Sequence, residues 1–378
     1  MNIKPFLISA APDALRDLRA RLELTRWNDS VAEGWSWGTD RSMLQLLVAH
    51  WRASYDWPQR EDRLNALPHF RADVGGFGVH FLHYKGRGPR PAPLLLINGW
   101  PSSFVEYQNL APRLADPGAF GGDPEDAFDV VIPALPGYGF SDRPAKPQQV
   151  TAQSLFHRLM TEGLGYSRFG VAGTDIGAGV AAELGHCHPE AIAGIHVTTV
   201  DVPLGPRSAP LSPAEIDYQE MRNRWRAEEG AYSALQRTKP QTLAFGLADS
   251  PVGLASWIVE KFHGWSDCRG ELLGLFPLDM LIDNIMIYWL TGTIGSSVRY
   301  YYEQQHRTPA FRPGDRVKPP AAVLTLPKEL AQPPREWAER LLNVVRYTAL
   351  SRGGHFPGWE VPELYAADLQ AFFRPLRP

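Results

Sequence analysis

Short apolar runs, often rich in β-branched residues, recur along most of the chain after residue 92. They lie at residues 93–97, 128–135, 168–172, 192–200, 321–326 and 344–350. Most are separated by segments long enough to form a helix, and apolar strands that alternate with helices are typical of a largely parallel sheet. The pattern therefore predicts an α/β fold.

Two regions lack this alternation of apolar strands and helices. The first ninety residues contain helical-looking segments at 13–24 and 41–52 and several tryptophans, and we interpret them as an extension that wraps the core. Farther along, helical stretches, aromatic residues and prolines stand between two predicted strands, as expected of an inserted helical cap. The predicted parts are residues 1–90 as the extension, 91–200 as the first part of the core, 201–303 as the cap and 304–378 as the second part of the core.

Composition narrows the class of protein. The 378 residues suffice for one elaborated domain with a large core. A formal net charge of -3 and the absence of basic runs argue against nucleic acid or an anionic membrane surface as the main partner. Because no apolar stretch is long enough for a signal peptide or a membrane anchor, we expect a cytoplasmic protein. A homodimer is compatible with the sequence, which does not decide the oligomeric state.

Cofactors are not expected. The two cysteines, Cys187 and Cys268, are too few for a disulfide framework and are interpreted as reduced thiols. The run His186-Cys187-His188 is a poor metal site because adjacent side chains on the predicted helix point in different directions. Neither a P-loop nor a G-x-G-x-x-G motif occurs.

The pentapeptide Gly173-Thr174-Asp175-Ile176-Gly177 follows an apolar run and opens a stretch of small residues. This context predicts a strand, a sharp turn and a helix, with glycines that permit strained backbone and the central side chain raised into a site. A carboxylate at that position is already ionised at neutral pH and can attack carbon without a general base. The pentapeptide alone leaves two interpretations, a nucleophile or an aspartate that caps the helix.

A hydrolase of this architecture places its nucleophile first, then an acid, then a histidine. His355 lies in a Gly-Gly turn just after the apolar run 344–350, where its imidazole would stand over the edge of the sheet. Glu329 follows the preceding run and is the candidate acid. Glu336 and Asp315 are nearby alternatives that sequence spacing does not exclude, and each of these groups could simply be solvated.

A tetrahedral intermediate also needs preorganised N–H donors. The segment Asn98-Gly99-Trp100-Pro101 follows the apolar run 93–97, so the backbone amides of Trp100 and Ile176 are expected to converge on one oxygen. Only the amide of Trp100 is needed there, and its indole is free to serve as a core aromatic.

These motifs together resemble the α/β-hydrolase-fold epoxide hydrolases, and most closely the branch that includes the microsomal and juvenile-hormone enzymes. The resemblance covers nearly the whole chain and implies the α/β-hydrolase fold. Its core motifs are Gly99-Trp100-Pro101, the run Leu135-Pro136-Gly137-Tyr138-Gly139-Phe140-Ser141, the aspartate elbow and Gly353-Gly354-His355-Phe356. Residues 15–27 resemble the branch's N-terminal domain, and residues 238–242, 249–254 and 289–294 resemble its lid.

The resemblance also implies two cap tyrosines that hydrogen-bond the epoxide oxygen, and the motifs place them at Tyr232 and Tyr301. A phenol with a pKa near ~10 suits an oxygen that leaves as an alkoxide. Tyr300 and Tyr302 adjoin Tyr301, so a register error of one residue is the alternative. Aromatic-rich caps also contain tyrosines that only pack.

The chain departs from the family pattern at two positions. Asn98 stands where the family usually has histidine, and asparagine keeps a hydrogen-bond donor and an acceptor but loses the imidazole. Ile176 stands where the family usually has tryptophan, which keeps the backbone amide and reshapes the pocket. These differences affect the expected substrate range more than the reaction.

The expected function is hydrolysis of an apolar epoxide to a vicinal diol, with the epoxide and water as partners and neither metal nor organic cofactor. Asp175 would form an alkyl ester, and water activated by His355 and Glu329 would hydrolyse it. Two alternatives stay open: another hydrolase with an aspartate nucleophile, such as a haloalkane dehalogenase, and a non-catalytic small-molecule binder of the same fold.

Overall fold

A computed structural model describes residues 1–29, 31–206 and 208–377. Within these residues nine strands form a single sheet. The strands are β1 (Asn2–Pro5), β2 (His69–Asp73), β3 (Gly78–Tyr84), β4 (Ala92–Ile97), β5 (Phe128–Pro133), β6 (Phe169–Gly173), β7 (Ile192–Val197), β8 (Val317–Thr325) and β9 (Leu342–Ala349).

The order of strands across the sheet is β1-β2-β3-β5-β4-β6-β7-β8-β9. All pairs from β5 to β9 are parallel, and the pairs that involve β1, β2 and β3 are antiparallel. Each of the six predicted apolar runs overlaps a strand. The prediction of an α/β-hydrolase fold with a mostly parallel sheet is therefore confirmed.

Helices cover the sheet and build a large insertion between β7 and β8. The helices before the insertion are α1 (Pro12–Glu23), α2 (Arg41–Ala53), α3 (Trp57–Asn65), α4 (Leu110–Ala115), α5 (Ala152–Arg158) and α6 (Ile176–Cys187). The insertion contains α7 (Pro213–Glu228), α8 (Ala231–Thr238), α9 (Pro240–Asp249), α10 (Pro251–Trp265), α11 (Leu272–Leu275), α12 (Leu278–Thr291) and α13 (Ile294–His306). After it follow α14 (Arg335–Glu339), α15 (Pro357–Glu360) and α16 (Pro362–Phe373). Short 3₁₀ turns lie at Phe104–Tyr107, Pro117–Phe120, Pro124–Asp126 and Arg374–Leu376, and a π turn lies at Leu159–Gly163.

The first ninety residues form three strands that the sequence analysis does not predict, in addition to the two expected helices. The two expected helices are present as α1 and α2, but β1, β2 and β3 also join the sheet, with β3 paired to β5. Helices α1 and α2 pack against the inserted helices α10 and α12. The exact boundaries of the four predicted parts stay a prediction.

Helix α12 fastens the insertion to the loop after β4. The side-chain amide of Asn284 donates to the carbonyl of Pro101 at 2.8 Å, and the hydroxyl of Tyr288 donates to the carbonyl of Ser102 at 2.9 Å. On another side of the same helix, the buried carboxylate of Asp283 accepts hydrogen bonds from Arg60 and Tyr55 of the first ninety residues. These contacts hold the loop that carries Trp100.

No single helix among the described residues has both the length and the hydropathy needed to cross a membrane. Helices α9 and α10 have them only as a pair, which is bent by 116° at the break between the two helices.

Candidate active site

Asp175 lies at the turn between β6 and α6 in strained backbone geometry. Its φ of 50° and ψ of -122° are unusual for a residue with a side chain, and its carboxylate makes no capping hydrogen bond to α6. A Cβ atom on Gly177 would strike the backbone of Ile97, and one on Gly173 would strike the backbone of Gly177. Close packing of strand and helix thus forces the turn and raises Asp175 above the sheet.

Two backbone amides hold the Asp175 carboxylate. The N–H of Trp100 donates to Oδ1 at 2.9 Å, and the N–H of Ile176 lies close enough to the carboxylate to lower its pKa. Gly99 makes this approach possible, because a Cβ atom there would collide with the Asp175 side chain. The structure therefore brings together the two amides that the sequence pairs, and it places them on the proposed nucleophile.

His355 and Glu329 lie at the carboxyl ends of β9 and β8. Nδ1 of His355 lies 2.6 Å from Oε1 of Glu329, and Nε2 lies 3.6 Å from Oδ2 of Asp175. The two loops are joined by a hydrogen bond from the N–H of Lys328 to the carbonyl of Gly353 at 3.1 Å. This hydrogen bond between the two loops holds His355 and Glu329 in contact although they are 26 positions apart in the sequence.

The other candidate acids lie elsewhere. Glu336 accepts a hydrogen bond from the hydroxyl of Ser212, and Asp315 lies 3.7 Å from Nε2 of His186. Neither is among the partners of His355, whereas Glu329 is buried beside it.

Burial and the neighbouring charges have opposite effects on the pKa of His355. Burial disfavours the imidazolium, but the carboxylates of Glu329 and then Asp175 outweigh it and raise the pKa of His355 to about 9. Burial also raises the pKa of Asp175, against the opposing influence of His355 and the two amides. The Asp175 side chain is 19% exposed, so this carboxylate is accessible from the cavity described below.

Tyr232 on α8 and Tyr301 on α13 face each other across the cap. Their ring centroids are 6.1 Å apart, and their hydroxyl groups interact. The Trp100 indole stacks on Tyr232 at 5.4 Å and meets Tyr301 edge to face at 6.1 Å. Burial, reinforced by the charge of Asp175, raises the pKa of both phenols, so both hydroxyls stay protonated at neutral pH.

The neighbouring tyrosines are placed differently from Tyr301. Tyr300 lines the same cavity, but its ring packs edge to face on Tyr138 at 6.0 Å. Tyr302 is exposed and stacks on His306 at 3.9 Å. Only Tyr301 of the three contacts the ring of Tyr232 among the described ring contacts, which favours the register that the resemblance gives.

Several of these groups line one cavity of about 680 Å³. Asp175, His355, Tyr232 and Tyr301 contribute to its wall, as does Ile176, which follows Asp175 in the chain. Pockets of this volume accommodate drug-sized ligands. A small organic molecule in the cavity would therefore lie between a carboxylate and two phenolic donors.

Several supporting residues carried no recognisable motif. The buried ammonium of Lys261 lies 4.8 Å from the centroid of the Tyr232 ring and 5.6 Å from that of Trp265. Trp265 packs edge to face on His355 at 5.0 Å, and its carbonyl accepts the N–H of His355 at 2.9 Å. A periodic signal did exist for Asn284 and Tyr288, which are four residues apart on a helix whose other residues are mostly apolar.

Asn98 belongs to a buried polar chain under the loop after β4. Its side-chain amide donates to the carbonyl of Gly99 at 3.0 Å and to the hydroxyl of Ser102 at 3.2 Å. The Ser102 hydroxyl in turn donates to Oε2 of Glu106 at 2.5 Å. Burial raises the pKa of Glu106 to about 8, which the bond from Ser102 only partly offsets. Asn98, which stands where the family usually has histidine, thus supports the loop that carries Trp100 through its side-chain amide.

Within the described residues, one group has the ligand types and spacing of a metal site. Ligand atoms of His157, His188 and Glu190 lie within 4.8 Å of one another, outside the cavity. The two imidazole rings stack in parallel at 3.7 Å. Lone pairs in parallel ring planes do not converge on one ion, so this group is a poor cation site.

The chain matches two families of proteins. Residues 3–107 match the family described as epoxide hydrolase N terminus, and residues 92–258 match the alpha/beta hydrolase fold. A relative from Stigmatella aurantiaca, provisionally named an epoxide hydrolase, is 40% identical over 100% of this chain and 86% of that protein. Epoxide hydrolase 1 of Oryctolagus cuniculus is 32% identical over 98% of this chain and 88% of that protein. The crystal structure of juvenile hormone epoxide hydrolase from the silkworm Bombyx mori superposes with a TM-score of 0.88 at 29% identity, covering 100% of this chain and 96% of the other.

Proposed function

Since the chain belongs to the epoxide hydrolases of the α/β-hydrolase fold, we propose that it opens an apolar epoxide to a vicinal diol through a covalent ester on Asp175. One observation carries this mechanism. The Asp175 carboxylate contacts two amide donors, faces the His355–Glu329 pair and lines the same cavity as Tyr232 and Tyr301.

In the first step Oδ2 of Asp175 attacks one oxirane carbon, and the bond from that carbon to the ring oxygen breaks. Oδ1 is engaged by the amide of Trp100, which leaves Oδ2 as the attacking atom. Tyr232 and Tyr301 donate hydrogen bonds to the departing oxygen, and one of them gives it a proton. Both phenols are held neutral by burial, as a proton donor must be.

In the second step water attacks the carboxyl carbon of the ester. His355 takes a proton from the water, and Glu329 orients the imidazole and stabilises the imidazolium. The amide of Trp100 already donates to the oxygen that becomes the ester carbonyl, and the amides of Trp100 and Ile176 together stabilise the oxyanion that forms there. When the intermediate collapses, the bond to the alkyl oxygen breaks and the diol leaves with the proton from His355. The carboxyl group of Asp175 then loses its proton, the phenolate formed in the first step takes one up, and both groups return to their starting states.

The ester also changes the charge that His355 experiences. Asp175 contributes to the raised pKa of His355 in the free protein. Alkylation removes that negative charge, so the pKa of His355 falls and the neutral imidazole needed as a base becomes more populated. The first step thereby prepares the base for the second.

A haloalkane dehalogenase shares the aspartate nucleophile but must stabilise a halide. The two phenols that line the cavity instead suit an alkoxide, which accepts a proton. This difference and the family membership favour the epoxide.

Trapping of the ester tests the proposal. His355→Gln removes the base of the second step and leaves Asp175 free to attack, so incubation with styrene oxide should add the mass of one epoxide to the protein. Peptide mapping should place the adduct on Asp175, and the double variant with Asp175→Ala should stay unmodified. An unmodified His355→Gln protein, with an active wild type, would refute the ester.

The cytoplasmic location expected from the sequence stays a prediction, as does the oligomeric state. Cell fractionation with activity as the readout tests the location, and sedimentation of the purified protein tests the homodimer.

A further inference from the structure

Four arginines of the described residues line the cavity, and two of them lack a partner within that part of the chain. Arg222 pairs with Asp201 at 2.7 Å, and Arg307 pairs with Glu183. The side chains of Arg226 and Arg237 form neither hydrogen bonds nor ion pairs with any residue that the structure describes. Both arginines are exposed residues on the cavity wall, so two solvent-accessible guanidinium groups there are left without a carboxylate partner among the described residues.

The arginines lie near one another on the cap side of the cavity. Arg222 and Arg226 are one helical turn apart on α7, so they share a face. Burial and then the charges of Arg222 and Arg237 lower the pKa of Arg226, which Asp201 partly offsets. An anion bound between these groups would relieve their mutual repulsion.

Their distance from the reacting groups indicates the length of the ligand. Arg237 follows Tyr232 by five residues on α8, which is ~7.5 Å along the helix axis. The Trp225 ring, next to Arg226, packs edge to face on Tyr232 at 6.4 Å. A ligand that reaches from Tyr232 to the guanidinium groups therefore needs a spacer of several carbon atoms.

The cavity wall also carries apolar side chains. Among them are Ile176, Val200, Trp225 and Leu330. A spacer of methylene or aromatic groups fits such a wall, since burying apolar surface is favourable. The cavity thus suits a molecule with an oxirane at one end and an anion at the other.

A carboxylate fits the arginines better than a phosphate does. Guanidinium groups bind carboxylates through paired hydrogen bonds. The Asp201 carboxylate lies within the same group of charges and would repel a dianion more strongly than a monoanion.

We propose that the preferred substrates are epoxides with a terminal carboxylate, separated from the oxirane by an apolar spacer and bound by Arg226 and Arg237. This substrate class rests on the epoxide hydrolysis proposed above. The guanidinium groups would also attract such anions to the mouth of the cavity.

A matched pair of substrates tests the proposal: a ten-carbon acid with a terminal epoxide, and its primary amide, which is neutral and of nearly equal size. The wild type should hydrolyse the acid with a kcat/KM at least about tenfold above that of the amide at low salt, and the ratio should shrink at high salt. The double variant Arg226→Gln/Arg237→Gln should bring the ratio close to one. Because Arg237 also influences the pKa of Tyr232, the amide reports any general change in catalysis.

The control variant Arg224→Gln/Lys239→Gln removes the same charge from exposed positions that do not line the cavity. It should keep most of the preference for the acid. Equal kcat/KM values for acid and amide in the wild type would overturn the proposed substrate class, and so would a preference for the acid that survives in Arg226→Gln/Arg237→Gln. Hydrolysis of styrene oxide in the same preparations would show that the proposed reaction itself still holds. If no epoxide is hydrolysed, both proposals fail.

Discussion

Nε2 of His355 faces Oδ2 of Asp175 at 3.6 Å, outside hydrogen-bond range, while Nδ1 of the same ring contacts Glu329 at 2.6 Å. The imidazole is thus oriented by one carboxylate and poised near another without binding it. This arrangement suits a base that acts on water after Asp175 has become an ester.

The charge of Glu329 should appear in the pH dependence of ester hydrolysis. His355 must be neutral to accept a proton, so the rate rises with pH until its pKa is passed. Glu329 contributes to raising that pKa to about 9 in the free protein. Glu329→Gln should therefore move the inflection to lower pH and reduce the limiting rate by about 10²-fold or more, because orientation is also lost.

Rapid-quench measurement of the ester against pH provides the check. Glu336→Gln is the matched control, since Glu336 bonds to Ser212 instead of His355, and its profile should equal that of the wild type. An inflection that stays in place in Glu329→Gln would contradict the assigned acid.

Removal of the phenols should slow alkylation and leave ester hydrolysis largely intact. Tyr232→Phe or Tyr301→Phe should each lower the single-turnover rate of ester formation by about 10–100-fold, and the double variant by at least about 10³-fold, because a general acid contributes that much. Tyr300→Phe, which changes a cavity tyrosine packed on Tyr138, should have an effect below about threefold. A large effect of Tyr300→Phe together with a small one of Tyr301→Phe would shift the assignment by one residue.

The side chain after the nucleophile should limit the size of the substrate. Ile176 lines the cavity, and Ile176→Trp would fill part of it with an indole. We expect kcat/KM for trans-stilbene oxide to fall by about tenfold or more relative to styrene oxide, because a pocket discriminates sharply against excess volume. Ile176→Leu conserves volume and should leave this ratio nearly unchanged. An unchanged ratio in Ile176→Trp would show that this residue does not shape the pocket.

Glu106 should destabilise the fold as the pH rises. Its pKa is raised from an ordinary 4.5 to about 8, chiefly by burial. The unfolded chain therefore loses its proton first, and stability falls between about pH 4.5 and pH 8, by roughly 3–5 kcal/mol in total. Glu106→Gln mimics the protonated side chain and should lack this loss.

Unfolding in denaturant at about pH 5 and about pH 8 tests this linkage. The stability of Glu106→Gln relative to the wild type should increase with pH, whereas Glu228→Gln, at an exposed site, should show no such trend. A constant difference between Glu106→Gln and the wild type would mean that Glu106 is not protonated in the fold.

Local signals were sufficient to predict the parallel strands and the elbow. Each parallel strand overlaps a run of mostly apolar residues. The glycines around Asp175 reflect contacts with atoms nearby in sequence or on the adjacent strand. The carboxyl ends of parallel strands meet at one edge of a sheet, which is why His355 and Glu329 were found near Asp175.

The missed features depend on long-range pairing. Strands β2 and β3 contain histidines and an arginine, so their apolar signal is weak, and they are recognisable only through pairing with each other and with β5. Likewise Lys261 on α10 contacts the ring of Tyr232 on α8, and no spacing in the sequence indicates that contact. The choice of Glu329 over Glu336 and Asp315 also required the fold.

The central claim is that water attacks the Asp175 ester and not the epoxide. A single turnover with enzyme in excess over styrene oxide, in water enriched in ¹⁸O, distinguishes the two directly. We predict that the diol from this first turnover carries no ¹⁸O and that the label appears in the peptide that contains Asp175, because the oxygen added to the diol comes from the carboxylate. Label in the diol of the first turnover, with an unlabelled Asp175 peptide, would contradict the mechanism.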